Sequence, residues 1–496
     1  MSAVPSVSYS ITVRLEVPAG GSSVSQLTTA VEHAGGAITA LDVTASGHER
    51  LRIDVTCAAR DTEHADLLVE AMRSVPGVVI GKVSDRTFLM HLGGKIEMNA
   101  KLPIRNRDDL SMIYTPGVAR VCEAIAANPD DARRLTIKRN TIAVVTDGSA
   151  VLGLGDIGPL ASLPVMEGKA ALFKRFADID AFPIALDTTD VEEIVRTVKA
   201  IAPVFAGINL EDISAPRCFE IEARLRAELD IPVFHDDQHG TAIVALAALT
   251  NALKVVGKDL PDVRIVLSGA GAAGTAVLKL LLAAGAHDVV VADIEGVVHP
   301  DRPGLSPALA WTAASTNPRR VTGTLREAVV DADVFIGVSA PDVLTGDDVA
   351  RMAPGAIVFA MANPRPEVDP VEAARHAAIV GTGRSDFANQ INNVLAFPGV
   401  FRGLLDAQSH RITDGMLLAA ARALASAIHE DQLNPTYIIP SVFNPEVTTL
   451  VAAAVERAAR AADEAEPAAL TGGLPRVAPA TAPTSASPTS TTTPEA

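Results

Sequence analysis

The hexapeptide Gly269-Ala270-Gly271-Ala272-Ala273-Gly274 constrains this chain most, because of what flanks it. It follows the apolar run Arg264-Ile265-Val266-Leu267 and opens a segment rich in Ala and Leu. A second apolar run, Val289-Val290-Val291-Ala292, ends at Asp293, 19 residues beyond Gly274. Glycines at this spacing permit a tight turn and bring a pyrophosphate close to a helix N-terminus, whose N–H groups and dipole favour the anion. An acid at the end of the next strand is placed to bond ribose hydroxyls. The glycines alone would serve equally well as a packing turn. Strand, turn, helix, second strand and acid in that order point to a dinucleotide-binding α/β unit.

At 496 residues the chain has room for roughly three domains. It is 48% hydrophobic but only 3% aromatic, so its cores must be built from Ala, Val, Leu and Ile. Residues 1–85 read as a small βαββαβ unit, a split-βαβ or ferredoxin-like sandwich. Its strands are expected at Ser8–Val17, Ile38–Ala45, Glu49–Cys57 and Val78–Val83, with helices from Ser22 to His33 and from the cap Asp61 to Arg73. Pro18-Ala19-Gly20-Gly21 is a turn between the first strand and first helix. Residues 86–253 alternate strand and helix as an α/β domain, and 254–465 hold the glycine unit and two closing Ala-rich helices, near Met416–Ile428 and Pro445–Ala465. Residues 466–496 are almost all Pro, Ala, Ser, Thr and Gly, a composition too poor in apolar side chains to offset its ordering entropy, and are expected to be disordered.

Composition narrows the function classes. With 42 basic against 59 acidic residues, the net charge of −17 argues against a nucleic-acid partner, which needs a basic footprint. An anionic substrate must then be held by a local cation or by backbone dipoles. Cys57, Cys122 and Cys218 lie far apart and suggest neither a disulfide framework nor a thiolate metal site. No run approaches about 18 uninterrupted apolar residues, and the first residues lack a signal-peptide pattern, so the expectation is a cytoplasmic protein with no membrane partner.

Two acidic pairs follow apolar runs. Glu211-Asp212 follows Ile208-Asn209-Leu210, and Asp236-Asp237 follows Val233-Phe234-His235. Carboxylates at the ends of neighbouring strands, with no basic residue beside them in sequence, suit a hard divalent cation, although adjacent acids are commonly just solvated helix starts. His235 and His239 lack the third soft ligand of a zinc site. Tyr114, one of three tyrosines, and Lys169, where a helix is expected to begin after Gly168, are candidate proton-transfer groups; each could equally be a packed Tyr or a surface Lys.

Taken in order, IYTPGVA, TDGSAVLGLGDIGP, PVMEGKAALFK, INLEDI, VFHDDQHGTA, GAGAAG, ANPRPE and NNVLAFPG closely resemble the small bacterial type of malic enzyme, from about Asp109 to Ala465. The resemblance implies a substrate α/β domain plus a Rossmann-type NAD-binding domain, oxidative decarboxylation of (S)-malate to pyruvate and CO₂, reduction of NAD or NADP, and Mg²⁺ or Mn²⁺. By motif position, Tyr114 matches the general acid and Lys169 the general base. Glu211, Asp212 and Asp237 match the metal ligands, with Asp236 in support. Asn363 and Asn393 match malate-holding residues, Asn392 would lie near the nicotinamide ribose, and Gly153 and Gly155 belong to a turn lining the site. Gly269, Gly271, Ala272, Ala273, Gly274 and Asp293 would hold the cofactor. The N-terminal unit resembles an ACT domain, which implies a small-metabolite effector, and a homodimer or higher homo-oligomer is expected.

The chain departs from the large eukaryotic type, which carries a malate-gripping Arg shortly before LGLGD; here Gly148-Ser149-Ala150-Val151 has none. Asp293 and Glu295 should repel a 2′-phosphate and favour NAD, unless Arg302 folds back. The same architecture could also serve a malolactic enzyme, an oxaloacetate decarboxylase, a reductive aminating dehydrogenase or a non-catalytic metabolite sensor.

Overall fold

The computed structural model describes residues 5–19, 23–151 and 153–465. The expected disordered tail and the centre of the Pro18–Ser22 turn lie outside these residues.

The first unit is a four-stranded antiparallel sheet with two helices on one face. Strand β1 (Ser6–Pro18) turns Ile11, Val13, Leu15 and Val17 inward at period two. Helix Ser23–His33, β2 (Ala37–Ser46), β3 (Arg50–Ala59), helix Thr62–Arg73 and β4 (Val79–Asp85) follow. Asp61 caps the second helix, its carboxylate accepting from the His64 N–H. The sheet order is β2-β3-β1-β4, and Leu27, Val31, Leu68 and Met72 of the helices complete its core. The face away from the helices is charged: Arg14 pairs with Asp54 at 2.7 Å and Arg52 with Glu16 at 3.0 Å.

Short helices then lead to a parallel sheet of β5 (Thr141–Thr146), β6 (Asp180–Ala185), β7 (Gly207–Leu210) and β8 (Val233–His235), in the order β6-β5-β7-β8. Because β7 and β8 are adjacent and parallel, the acidic pairs that follow them emerge side by side. The helix bearing Lys169 spans Gly158–Ala177, so it starts ten residues before Gly168, where its start was expected. Pro159 sits in the first turn, where a missing N–H costs nothing, while Pro164 lies inside the helix and forfeits the bond to the Leu160 carbonyl. Lys169 is therefore fixed in mid-helix.

A wide π-helical turn, Asp236–Gly240, feeds helix Thr241–Val256. The stretch Asp236–Val256 is long and apolar enough to cross a membrane by composition, yet 72% of that window is buried. It packs against helices Ala272–Ala283 and Asp414–Ser426 at the centre of the molecule.

The third sheet holds β9 (Arg264–Ser268), β10 (Asp288–Asp293), β11 (Gly296–Val297), β12 (Val334–Gly337), β13 (Ile357–Ala360) and β14 (Ile379–Thr382), ordered β11-β10-β9-β12-β13-β14. All neighbours pair in parallel except the short hairpin partner β11. The order reverses between β9 and β12, which opens a crevice beyond their carboxyl ends. Helices Phe397–Ala407, Asp414–Ser426 and Pro445–Ala465 close the structure. Ile142 and Val144 of β5 share one hydrophobic cluster with Ile265 and Leu267 of β9, so the acidic pairs and the glycine turn are held by a common core.

Candidate active site

Carboxylate oxygens of Glu211, Asp212 and Asp237 converge to within 4.8 Å of one another. Glu211 leaves β7 directly, and its Oε2 accepts from Asn209 Nδ2 at 2.8 Å. Asp212 has a left-handed backbone (φ 54°), fixed on both sides: its N–H donates to Asp237 Oδ2 at 2.9 Å and its carbonyl accepts from the Ala150 N–H at 3.0 Å. Three hard oxygen donors from two strand ends fit a divalent cation of the Mg²⁺ or Mn²⁺ type. His239 is turned away from this group, while His235 Nδ1 lies 3.6 Å from Asp237 Oδ2. His239 Nε2 lies 2.6 Å from Glu222 Oε1, and His235 is buried, which holds its pKa below the ordinary value.

The sequence shows no cation beside these acids, but the fold supplies one. Lys169 Nζ lies 2.9 Å from Glu211 Oε1 and donates to Asp236 Oδ2 at 2.7 Å. It also sits 4.2 Å from the centre of the Phe397 ring, which belongs to a buried aromatic row with Phe173 and Phe401. Burial disfavours the ammonium charge, but Asp236 and Glu211 outweigh it and raise the Lys169 pKa above the usual lysine value. Burial, together with repulsion from Asp236, Asp237 and Asp212, pushes Glu211 well above the carboxylate range despite Lys169. Asp236 is fully buried, and its Oδ2 also accepts from Asn393 Nδ2 at 3.1 Å, which ties the loop after β8 to the loop after β14.

Asn363 and its cis bond to Pro364 follow β13. Gly153 (φ 75°) presses on this loop so closely that a Cβ would lie 2.4 Å from the Asn363 carbonyl oxygen; Gly155 turns the same segment at φ 79°. Asn392 caps the following turn, accepting from the Val394 N–H at 3.0 Å.

The glycine turn joins β9 to a helix, the expected strand–turn–helix form. A Cβ at Gly274 would fall 1.8 Å from the Gly269 carbonyl oxygen, so only glycine lets the helix start against the turn. Ala272 and Ala273 open that helix, and Gly271 faces open space. A cavity of about 570 Å³ lies beside Gly269 and Ala270, walled by Asp293, Glu295, Ser339 and Arg326. Of the two arrangements the sequence left open at Asp293 and Glu295, the structure shows the fold-back. Arg302 folds back on them, with Nη1 donating to Asp293 Oδ1 at 2.8 Å and Nη2 to Asp293 Oδ2 at 2.6 Å and Glu295 Oε2 at 3.0 Å.

Tyr114 stands outside this network. It ends helix Arg107–Ile113, is 67% exposed and makes no hydrogen bond through its hydroxyl among the described residues. Sequence reasoning missed Asn209, Phe397 and Arg217. Asn209 lies two positions before Glu211 on a strand, the spacing that puts two side chains on one face, which was a usable signal. Arg217 reaches the stretch that lacks the expected arginine, donating from Nη2 to Ser149 Oγ and Ser214 Oγ and lying 3.0 Å from Asp147. It braces the loops instead of offering a free fork.

Two family models match the chain: the malic enzyme N-terminal domain over residues 93–226 and the malic enzyme NAD-binding domain over residues 238–460. The chain is 58% identical over 449 residues to an NAD-dependent malic enzyme of Geobacillus stearothermophilus, covering 90% of this chain and 94% of that protein. It is 54% identical over 368 residues to a bifunctional malic/malolactic enzyme of Bacillus subtilis, covering 74% and 90%. The crystal structure of an NAD-dependent malic enzyme from Thermotoga maritima is similar with a TM-score of 0.73 and 47% identity, covering 75% of this chain and 99% of that one. The chain belongs to the malic enzyme family.

Proposed function

We propose that the chain catalyses the oxidative decarboxylation of (S)-malate to pyruvate and CO₂ with reduction of NAD. The observation that carries this reading is the contact of Lys169 with Glu211, one of three converging carboxylates, beside the dinucleotide crevice. Residues 86–253 and 254–465 are the two catalytic domains. A divalent cation held by Glu211, Asp212 and Asp237 would supply Lewis acidity at the malate hydroxyl and carboxylate, and positive charge for a dianion. Lys169 takes the hydroxyl proton at Nζ while hydride leaves C2 for the nicotinamide. Its contacts support a tuning: Glu211 is both a partner that favours the ammonium and a proposed ligand, so a cation held by Glu211 would weaken that hold on Lys169 and favour the neutral amine. Asp236 and Phe397 keep the amine aimed. Asn363 and Asn393 bind malate through their amides, Asn392 lies towards the nicotinamide ribose, and Tyr114 protonates the methylene carbon of enolpyruvate.

Substituting Asp237 by Ala tests the assignment. Oxidation and decarboxylation should both disappear while NAD still binds; an active variant would reject the ligand set.

Tyr114, at 67% exposure, is open to cover from another chain. Apolar side chains along the same segment (Phe88, Leu92, Met98, Leu102, Ile104 and Met112) are each more than half exposed, an extent that marks an association surface. This supports a homodimer or higher homo-oligomer in which that segment is covered. The βαββαβ topology supports reading residues 1–85 as an ACT-like regulatory domain that takes a small metabolite. A chain beginning near Lys95 should keep activity and lose its response to amino acids or acyl metabolites. Identical responses in both forms would leave the domain an oligomerisation unit.

A further inference from the structure

Glu367 closes the motif Ala362-Asn363-Pro364-Arg365-Pro366-Glu367, and none of the roles above uses it. It is fully buried, with no lysine or arginine paired to it among the described residues, and burial holds its pKa above the ordinary carboxylate value. What compensates the carboxylate is backbone. Its Oε1 accepts from the Ser339 N–H at 2.7 Å and its Oε2 from the Ala362 N–H at 3.0 Å. Those two donors belong to different loops. Ser339 follows β12, lines the cofactor cavity, and its hydroxyl lies 2.8 Å from that of Ser268 beside the glycine turn. Ala362 follows β13 and precedes Asn363, the residue proposed to hold malate. The side chain fits only because Gly337 leaves room: a Cβ there would lie 2.4 Å from the Glu367 carboxyl carbon.

We infer that Glu367 is a positioning residue that fixes the cofactor loop and the substrate loop in one register, so that each ligand's binding depends on the other's. This rests on the malate and NAD reading above. A carboxylate accepts at both oxygens. The amide of a glutamine accepts at one and presents N–H groups at the other, so Glu367→Gln must release one loop while keeping size and burial. The ligands are not touched, and Lys169 and the acids keep their contacts.

The test is binding linkage, which a merely structural role would not alter. The Kd of NAD is measured by calorimetry with Mn²⁺, with and without the non-reacting hydroxydicarboxylate tartronate, for the wild type and for Glu367→Gln. In the wild type, tartronate should tighten NAD about fivefold or more. In Glu367→Gln the factor should fall below about twofold, while KM for both ligands rises and kcat at saturation changes much less. Should Glu367→Gln fail to fold, Gly337→Ala displaces the same carboxylate without removing it and should show the same loss of linkage. An unlinked wild type, or unchanged linkage in the variants, overturns the inference while leaving the malate reading intact. A wild type that binds neither NAD nor tartronate rejects both together.

Discussion

Arg302 makes the cofactor choice open to calculation. Its two terminal nitrogens are spent on Asp293, Glu295 and the Gly296 carbonyl, so no terminal donor remains for a 2′-phosphate. The cluster carries two carboxylates and one guanidinium, a net charge of −1, and Arg302→Ala would make it −2. At a separation of about 5 Å and an intermediate dielectric of about 40, one added unit charge repels another by roughly 1.7 kcal/mol. A phosphate of nearly two charges doubles this, and physiological salt screens it by about half. About 1.5–2 kcal/mol remains, or ten- to thirtyfold in kcat/KM. Arg302→Ala should therefore lower kcat/KM for NADP by that factor and change NAD by much less. Asp293→Ser should do the reverse, freeing the guanidinium and raising NADP use. The assay is initial-rate reduction of each nicotinamide with saturating malate and Mn²⁺, at low and at physiological salt. An NADP:NAD ratio unmoved by either substitution would refute the electrostatic argument.

Replacing Lys169 by Ala removes the base and leaves Glu211 and Asp236 buried without their cation. Turnover should fall by about 10²–10⁴-fold with NAD affinity retained, and in chelator the fold should lose about 3–5 kcal/mol, read by urea unfolding. Glu222 provides a pH test. Burial opposes its charge, but His239, His235 and Arg226 outweigh it and lower its pKa to about 2 from 4.5. A lowered carboxyl stabilises the fold above pH 4.5 and loses that contribution as pH falls towards 2. At about 1.4 kcal/mol per unit the loss is about 3 kcal/mol. Glu222→Gln should be less stable at neutral pH and flatter through that acid window, by urea midpoints at stepped pH.

Much of this was legible in the sequence because the informative signals are local. The period-two run of β1, the Asp61 cap and the glycine turn after β9 are each set by a few neighbouring residues, and the structure places them where expected. The start of the Lys169 helix was misplaced because Gly168 looks like a boundary, whereas the helix begins at Gly158 and carries both an interior Pro164 and Gly168 without breaking. The acids were visible as pairs after apolar runs. Their company was not: Lys169 reaches Asp236 across 67 positions of one α/β unit, and Asn393 reaches it across 157, a contact made only when the two units share one core. Arg302 was in view as a residue that could fold back, but whether it does depends on side-chain geometry that no periodicity encodes.

The central claim is that one site couples malate oxidation to decarboxylation through Lys169 and the three carboxylates. The most direct test is to follow NADH and pyruvate together from the full chain with malate and NAD, after chelation and again with added Mn²⁺. The account predicts that neither product forms in the chelated sample and that both appear one for one when Mn²⁺ is restored. Full activity in the stripped enzyme, or NADH without matching pyruvate, would contradict it.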